Sequence, residues 1–426
     1  MGRSMIVLPL ALLAGSAAYA ARPSIGTVVV GQDPVTRMVT VDYTLANGPA
    51  VVTMDVRTNG VSVGGRNLRR MAGDVNRKVA TAAGQITWMP EDGLLADGRV
   101  EIAATNVVVT AWALDAPPDY MVADLCFTST VKFYPSAEAL PEDVTNDMFK
   151  TDFLVMRKIP ANGVIWRMGS PTTVAQRQDN ETPHYVKFTN DYYIGVFEVT
   201  QRQYERVFGS PTSSGANCHW TFTNVTDWAC RPIEGIKWDY LRGSQNGWPN
   251  TMHDNSPSFG PGKFRSFTGI AFDLPTEAQW EYACRAGTGT VWHDGRNSYV
   301  KANFEKLAWY DENAAEGYGE AQTHPVGMKK PNAWGLYDMY GNVQEWCLDW
   351  YESPYSVDDE EENLVVDPTG PAADYNADGT INYRRIARGG SFKQAYWRSY
   401  SAYRNAANKN TEDTYGFRLC CPAKVP

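Results

Sequence analysis

Between Ser24 and Phe133 the chain is written in short alternating runs: GTVVVGQ, RMVTVDYTL, AVVTMDVRT and GRVEIAATNVVVTAWAL. Alternation with a period of two puts one set of side chains on each face of a strand, and turn pairs such as Asn59-Gly60 and Asp97-Gly98 fall between the runs. Several such strands in about 110 residues predict, over residues 21–133, an antiparallel sandwich of immunoglobulin or fibronectin type. Gly60-Val61-Ser62-Val63-Gly64 matches the nucleophile elbow of serine hydrolases. That elbow needs a helix behind its strand, so in this setting the match reads as a turn entering a strand.

Residues 134–150, YPSAEALPEDVTNDMFK, read as a linker, and from 151 to 426 the texture changes. Gly, Trp and Tyr dominate, apolar runs are short, and few helices stand out. Thr200 with Gln203 forms a capping box for one helix, and Thr276 with Gln279 forms a second, with Gly287 as its stop. On that second helix Trp280 and Cys284 lie four apart and share a face, which assigns them to core packing and a structural bridge. With no βαβ rhythm, long amphipathic helix or internal repeat, the class is α+β with much irregular structure.

A formal charge of −9 argues against a nucleic-acid binder and leaves room for bound cations. Arg3, the apolar MIVLPLALLAG and Ala18-Tyr19-Ala20 have the order of an export signal over residues 1–20, and no run is long enough to span a bilayer. The expected location is therefore secreted, periplasmic or on the cell envelope. In that oxidising setting the seven cysteines are candidates for bridges: Cys218 with Cys230 around a Trp-rich loop, and Cys284 with Cys420 or Cys421. The odd count leaves at least one thiol over.

The ordered blocks YYIGVFEVTQRQYERV, RPIEGIKWDYLRG, DLPTEAQWEYACRAGT, THPVGMKKPNAWGLYDMYGNVQEWCLDWY, DPTGP, RIARGGSF and YGFRL closely resemble the formylglycine-generating enzyme, or sulfatase-modifying factor, family. They run from about residue 150 to 423, nearly two thirds of the chain. The resemblance implies a variant of the C-type-lectin-like fold with bound calcium. It covers several chemistries, so function has to be argued at the site. The copper oxidases of the family hold Cu(I) between two cysteines flanking an RSY segment, since soft thiolates suit that ion. Here those positions carry Tyr396, or a neighbour, and Ser401, and no cysteine lies between Cys347 and Cys420. Copper is therefore not expected. The iron-dependent sulfoxide synthases use an H-x-x-x-H-x-E pattern in an additional helical domain, whereas His184, His219, His253, His293 and His324 include no pair four apart. His324, in the THPVG block, reads as structural.

Two further departures stand at Gln344, where the family has Trp, and at Trp397, where it has His before RSY. What remains is a pocket frame of Ser391, Trp397, Arg398, Tyr400, Ser401, Arg404 and Gln344, with no confident catalytic residue. Paired Gly389 and Gly390 allow close backbone approach, and the arginines offer planar forks to carboxylates and carbonyls. For structural calcium the resemblance implies side-chain oxygens from Asp338 and Glu345 and carbonyls from Gly341 and Val343. It also implies a weaker second site beginning at Asn303 and Phe304. Asp374, Asn376 and Asp378 follow the spacing of an EF-hand loop, but Arg385 stands at position 12 and flanking helices are missing, so an Asp-Gly hairpin turn competes with that reading.

The leading expectation is an exported family member without copper oxidase activity, binding a protein, peptide or glycan through its lectin-like pocket. The alternative is a metal-dependent oxidase or hydroxylase of an exported protein or peptide. A third class is a scaffold in an envelope assembly.

Overall fold

The computed structural model describes residues 21–91, 94, 101–126, 130–209, 226–242, 260–352, 363–373, 382–408 and 414–426. Among the described residues eight strands build the N-terminal unit: β1 (Ser24–Gln32), β2 (Val39–Ala46), β3 (Ala50–Thr58), β4 (Val61–Ser62), β5 (Met71–Gly73), β6 (Arg77–Val79), β7 (Ala83–Trp88) and β8 (Val107–Trp112). One sheet has the order β1-β2-β7-β5, and the other is centred on β3, which pairs with β4, β6 and β8. All of these pairings are antiparallel. The expected alternation is plain on β2, where Val39, Val41, Tyr43 and Leu45 are buried while Asp42 and Thr44 face water. Each fully buried aliphatic side chain contributes about 1.5–3 kcal/mol.

Strand β3 breaks the alternation because both its faces are covered. Val52, Met54 and Val56 enter the sandwich core, whereas Val51 joins a second core shared with the C-terminal domain. Asn59 and Gly60, at φ of 52° and 81°, make the turn into β4. Ser62 lies on β4 and donates to Asp55 Oδ1 at 2.6 Å, as a strand residue rather than a nucleophile.

The C-terminal domain is α+β. Its five-stranded antiparallel sheet has the order β10-β9-β11-β14-β20, from β9 (Tyr120–Asp124), β10 (Val131–Tyr134), β11 (Phe153–Ile159), β14 (Tyr192–Gly195) and β20 (Cys420–Pro422). A border at 133 is thus corrected: β9 and β10 belong to this sheet, because Leu154↔Ala123 and Met156↔Met121 put β9 directly beside β11. The stretch 134–150 is not a bare linker either, since Leu140 and Phe149 are buried against Val155, Val196 and Phe197. A small sheet joins β12 (Ile165–Met168), β13 (His184–Lys187) and β16 (Val365–Val366). Another has the order β18-β17-β15-β19, from β15 (Gln344–Trp350), β17 (Arg384–Arg388), β18 (Asn405–Asn408) and β19 (Tyr415–Gly416).

The described helices are short: α1 (Gly65–Leu68), α2 (Met148–Thr151), α3 (Gln201–Phe208), α4 (Trp238–Arg242), α5 (Gly260–Thr268), α6 (Glu277–Arg285) and α7 (Lys301–Phe304). Both expected capping boxes form, Thr200 with Gln203 on α3 and Thr276 with Gln279 on α6. Helix α6 ends through Ala286 and Gly287, both at positive φ. No described helix is long and apolar enough to cross a membrane.

The cysteine pairing is corrected. All six described cysteines are unbridged. Successive residues on β20 face opposite ways, so Cys421 enters the core around Trp238 and Cys420 the core around Trp280. Cys420 Sγ meets Gln279 Oε1 at 3.7 Å. Cys284 lies five residues further along α6, a rise of about 7.5 Å, and packs instead at Met339 O. Cys230 is likewise an unbridged thiol, and Cys218 lies outside the described residues.

Candidate functional site

Strand β17 delivers the glycine pair to a tight turn. Gly389 and Gly390 have φ of 92° and 75°, and a Cβ on Gly390 would stand 2.1 Å from Ser399 Oγ. Only glycine permits that approach, and it seats residues 391–404 against the sheet.

The arginines of this stretch then fix the loop. Arg404 forks onto Glu277 at 2.7 and 2.9 Å, and its Nη1 donates to the carbonyls of Asn180 and Glu352. Arg388 pairs with Glu281 and donates to the Tyr403 carbonyl. Helix α6 serves both, because Glu277 and Glu281 are four apart and share one face. Arg385 is fully buried between the rings of Trp238 and Trp350, 3.8 and 3.3 Å from their centroids. Its Nη1 donates to Leu348 O, while Nε and Nη2 have no hydrogen-bond partner, and burial pulls its pKa down to about 9. Arg398 is the exception: half-buried, it lies 4.8 Å over Trp397, which in turn meets Tyr403 edge-on.

At the two places where copper oxidases carry cysteines, the side chains are committed otherwise. Tyr396 stacks on Tyr299 with centroids 3.6 Å apart. Ser401 Oγ donates to Val291 O at 2.9 Å and lies 2.8 Å from the Tyr340 hydroxyl. Tyr400 donates to Gln176 Oε1 at 3.1 Å and meets Trp292 edge-on. Ser391 is buried and accepts weakly from Lys393 N at 3.4 Å. Gln344 belongs to a separate polar group, accepting from Asn405 at 2.6 Å and donating to Thr414 at 3.3 Å.

One neighbour escaped the sequence reading. The Cys284 thiol lies near Ser401 and Tyr340, and burial pushes its pKa up to about 11, so it stays protonated. Its position four residues after Trp280 gave the correct inward face but not the partner. His324 is structural: it stacks on Trp309 at 3.5 Å, and its Nε2 lies 3.0 Å from Ala314 O.

The residues expected around calcium do come together, but with other partners. Glu345 accepts from Arg418 through both oxygens, at 2.7 and 2.8 Å, and from Trp280 Nε1 at 2.7 Å. Asp338 Oδ2 accepts from Gly327 N at 2.7 Å, and Oδ1 has no hydrogen-bond partner. Glu198, not foreseen, accepts from Asn342 Nδ2 at 2.8 Å and from Val343 N at 3.1 Å. Burial first, then the charges of Asp338 and Glu345, raises the Glu198 pKa well above the usual carboxylate range.

Calcium needs six to eight oxygens, and Glu345 is spent on a guanidinium. Asp338 Oδ1, buried and without a hydrogen-bond partner, is the side-chain oxygen of the expected pair left open to a cation. At the second place the Asn303 and Phe304 carbonyls accept from Lys306 and Leu307 of the same turn. Asp374, Asn376 and Asp378 lie outside the described residues. Among the described residues no group of three or more His, Cys, Asp or Glu is arranged to hold a metal ion.

The family described as Sulfatase-modifying factor enzyme 1-like domain matches residues 156–422, and the chain belongs to it. Its C-terminal domain is accordingly an α+β, formylglycine-generating-enzyme-like domain. The chain is similar to Chaperone protein LppX of Paenibacillus barcinonensis, 31% identical over 186 residues, covering 39% of this chain and 64% of that protein. It is 26% identical over 302 residues to the Formylglycine-generating enzyme of Mus musculus, covering 63% and 76%. To that of Streptomyces coelicolor it is 36% identical over 166 residues, covering 36% and 47%. The chain thus spans less than two thirds of LppX and under half of the Streptomyces enzyme. Among solved structures, Treponema denticola variable protein 1 matches at 27% identity and a TM-score of 0.44, covering 63% of this chain and 95% of that one. PvdO from Pseudomonas aeruginosa matches at 22% and 0.45, covering 63% and 94%.

Proposed function

We propose that this chain is an exported member of its family that binds a protein, peptide or glycan through the 391–404 loop without copper oxidase chemistry. The observation that carries the reading is the commitment of both metal positions. Tyr396 is packed flat on Tyr299, and Ser401 is tied to Val291 O and Tyr340. The accessible part of the loop is exposed Lys393 and the half-buried run from Gln394 to Arg398, which includes Tyr396, Trp397 and Arg398, and aromatic and arginine side chains are the usual anchors of recognition surfaces. The relatives named for formylglycine generation suggest that activity for the fold, but neither residue at those two positions supplies a thiolate.

Anaerobic Cu(I) titration of the purified chain, followed by mass spectrometry of a sulfatase peptide, tests this. We expect no tight copper and no aldehyde on the peptide. The double variant Tyr396→Cys/Ser401→Cys is expected to gain Cu(I) affinity by at least tenfold. Tight copper in the unaltered chain, or an aldehyde on the peptide, would refute the proposal.

A further inference from the structure

A cavity of about 760 Å³ opens between the sandwich and the C-terminal sheet. Leu68 and Met71 line it from one side, and Phe133 and Met148 from the other. The two units are clamped around it. A Cβ on Gly65 would stand 2.0 Å from the Leu140 carbonyl oxygen, so the backbones touch there. Phe133 N donates to Asn76 O at 2.8 Å, and Arg66 and Arg69 pair with Glu142 at 3.0 and 3.2 Å. Between surfaces held this closely, apolar walls would normally meet and exclude water. A space of this size is instead typical of small-molecule sites, which favour domain interfaces.

Its charge runs against that of the whole molecule. Arg69, Arg77, Lys78 and Lys132 line the cavity, and Asp124 is the one acidic residue in the lining, in a chain of formal charge −9. Arg69 and Arg77 are paired with Glu91 and Asp74, at 2.7 and 2.6 Å. Lys132 is exposed and outside the ion pairs described, and Lys78 donates to the Pro426 carbonyl. These two lysines come from β10 and β6, which lie against each other at the cavity.

We propose that this cavity binds an anionic amphiphile, an apolar body carrying a carboxylate. The body lies against Met71, Phe133 and Met148, and the head is held by Lys78 and Lys132. The site is independent of the 391–404 loop.

A dansyl-labelled undecanoic acid titrated into the purified full chain tests the proposal, with the methyl ester of the same probe as the uncharged control. The acid is expected to bind saturably and one-to-one, at least tenfold tighter than the ester. Lys132→Glu reverses an exposed charge that lies outside the ion pairs described, so it should keep thermal unfolding unchanged while weakening the acid at least tenfold. Met71→Trp, which fills the cavity, is expected to abolish uptake of both probes. Absence of saturable uptake, equal affinity for acid and ester, or uptake unchanged in the charge-reversed chain would each overturn the proposal.

Discussion

From Ser24 to Trp112 the buried polar side chains among the described residues are Thr53 and Asn76, both uncharged, whereas Arg231, Arg385, Arg388 and Arg418 in the C-terminal domain are all fully buried. The sandwich satisfies its backbone through strand ladders, so its core can be aliphatic and interchangeable. The C-terminal domain has long irregular segments whose carbonyls find no ladder, and an unpaired buried carbonyl is costly. Guanidinium groups fill that role. Arg418 reaches Gly195 O, Val196 O and Tyr337 O, and Arg404 reaches Asn180 O and Glu352 O. Acidic partners on α6 and β15 neutralise Arg388, Arg404 and Arg418, Asp227 pairs with Arg231, and Arg385 is sandwiched between two tryptophan rings. One region is specified by pattern and the other by individual bonds.

If that contrast is right, the largest effect comes from a substitution that keeps charge but loses the fork. Arg418→Lys should destabilise by about 3–5 kcal/mol in denaturant unfolding, because an ammonium cannot replace five directed donors and leaves Glu345 under-paired. A loss below about 1 kcal/mol would break the comparison.

A pH effect follows from the same domain. Burial first, and then the charge of Glu277, raises Asp349 to about 7, above its unfolded value. The native state keeps a proton that the unfolded chain gives up, so this contribution is lost as pH rises from about 4 to about 7. Asp349→Asn keeps an acceptor for Glu277 N and should flatten that slope. Unfolding at pH 5 and pH 8 is expected to show a difference between the two proteins on the order of 2 kcal/mol.

In the sandwich, Ile86→Val removes one methylene from a fully buried position and should cost only about 1 kcal/mol. The smallest effect is expected for Arg57→Ala. It breaks an exposed pair with Asp55 at 2.8 Å and should change stability by about 0.5 kcal/mol or less. Melting curves of these two variants, set beside Arg418→Lys, measure the contrast directly.

The same contrast explains what the sequence revealed. Strand periodicity and the capping boxes of α3 and α6 are local signals, and they were legible. The fate of β9 and β10 was not, since alternation announces a strand but not which sheet takes it. Spacing also left open which arginine binds which carboxylate. Glu345 was expected at a calcium by position, and its bond to Arg418, 73 residues away, was not legible. Cys284 and Cys420 looked like a bridge until the rise of α6 separated them. Ser401 and Cys284 are far apart in sequence, so their meeting with Tyr340 could appear only in three dimensions.

The placement of β9 bears on where the molecule can be cut. The family match begins at Met156, inside β11, which is the middle strand of its sheet. A polypeptide started there would lose the two strands that cover one flank of β11. The stripped flank would present unpaired amides and carbonyls to any similar edge, the usual seed of aggregation. The smallest piece fit to stand alone therefore begins ahead of Tyr120, well outside the homologous segment.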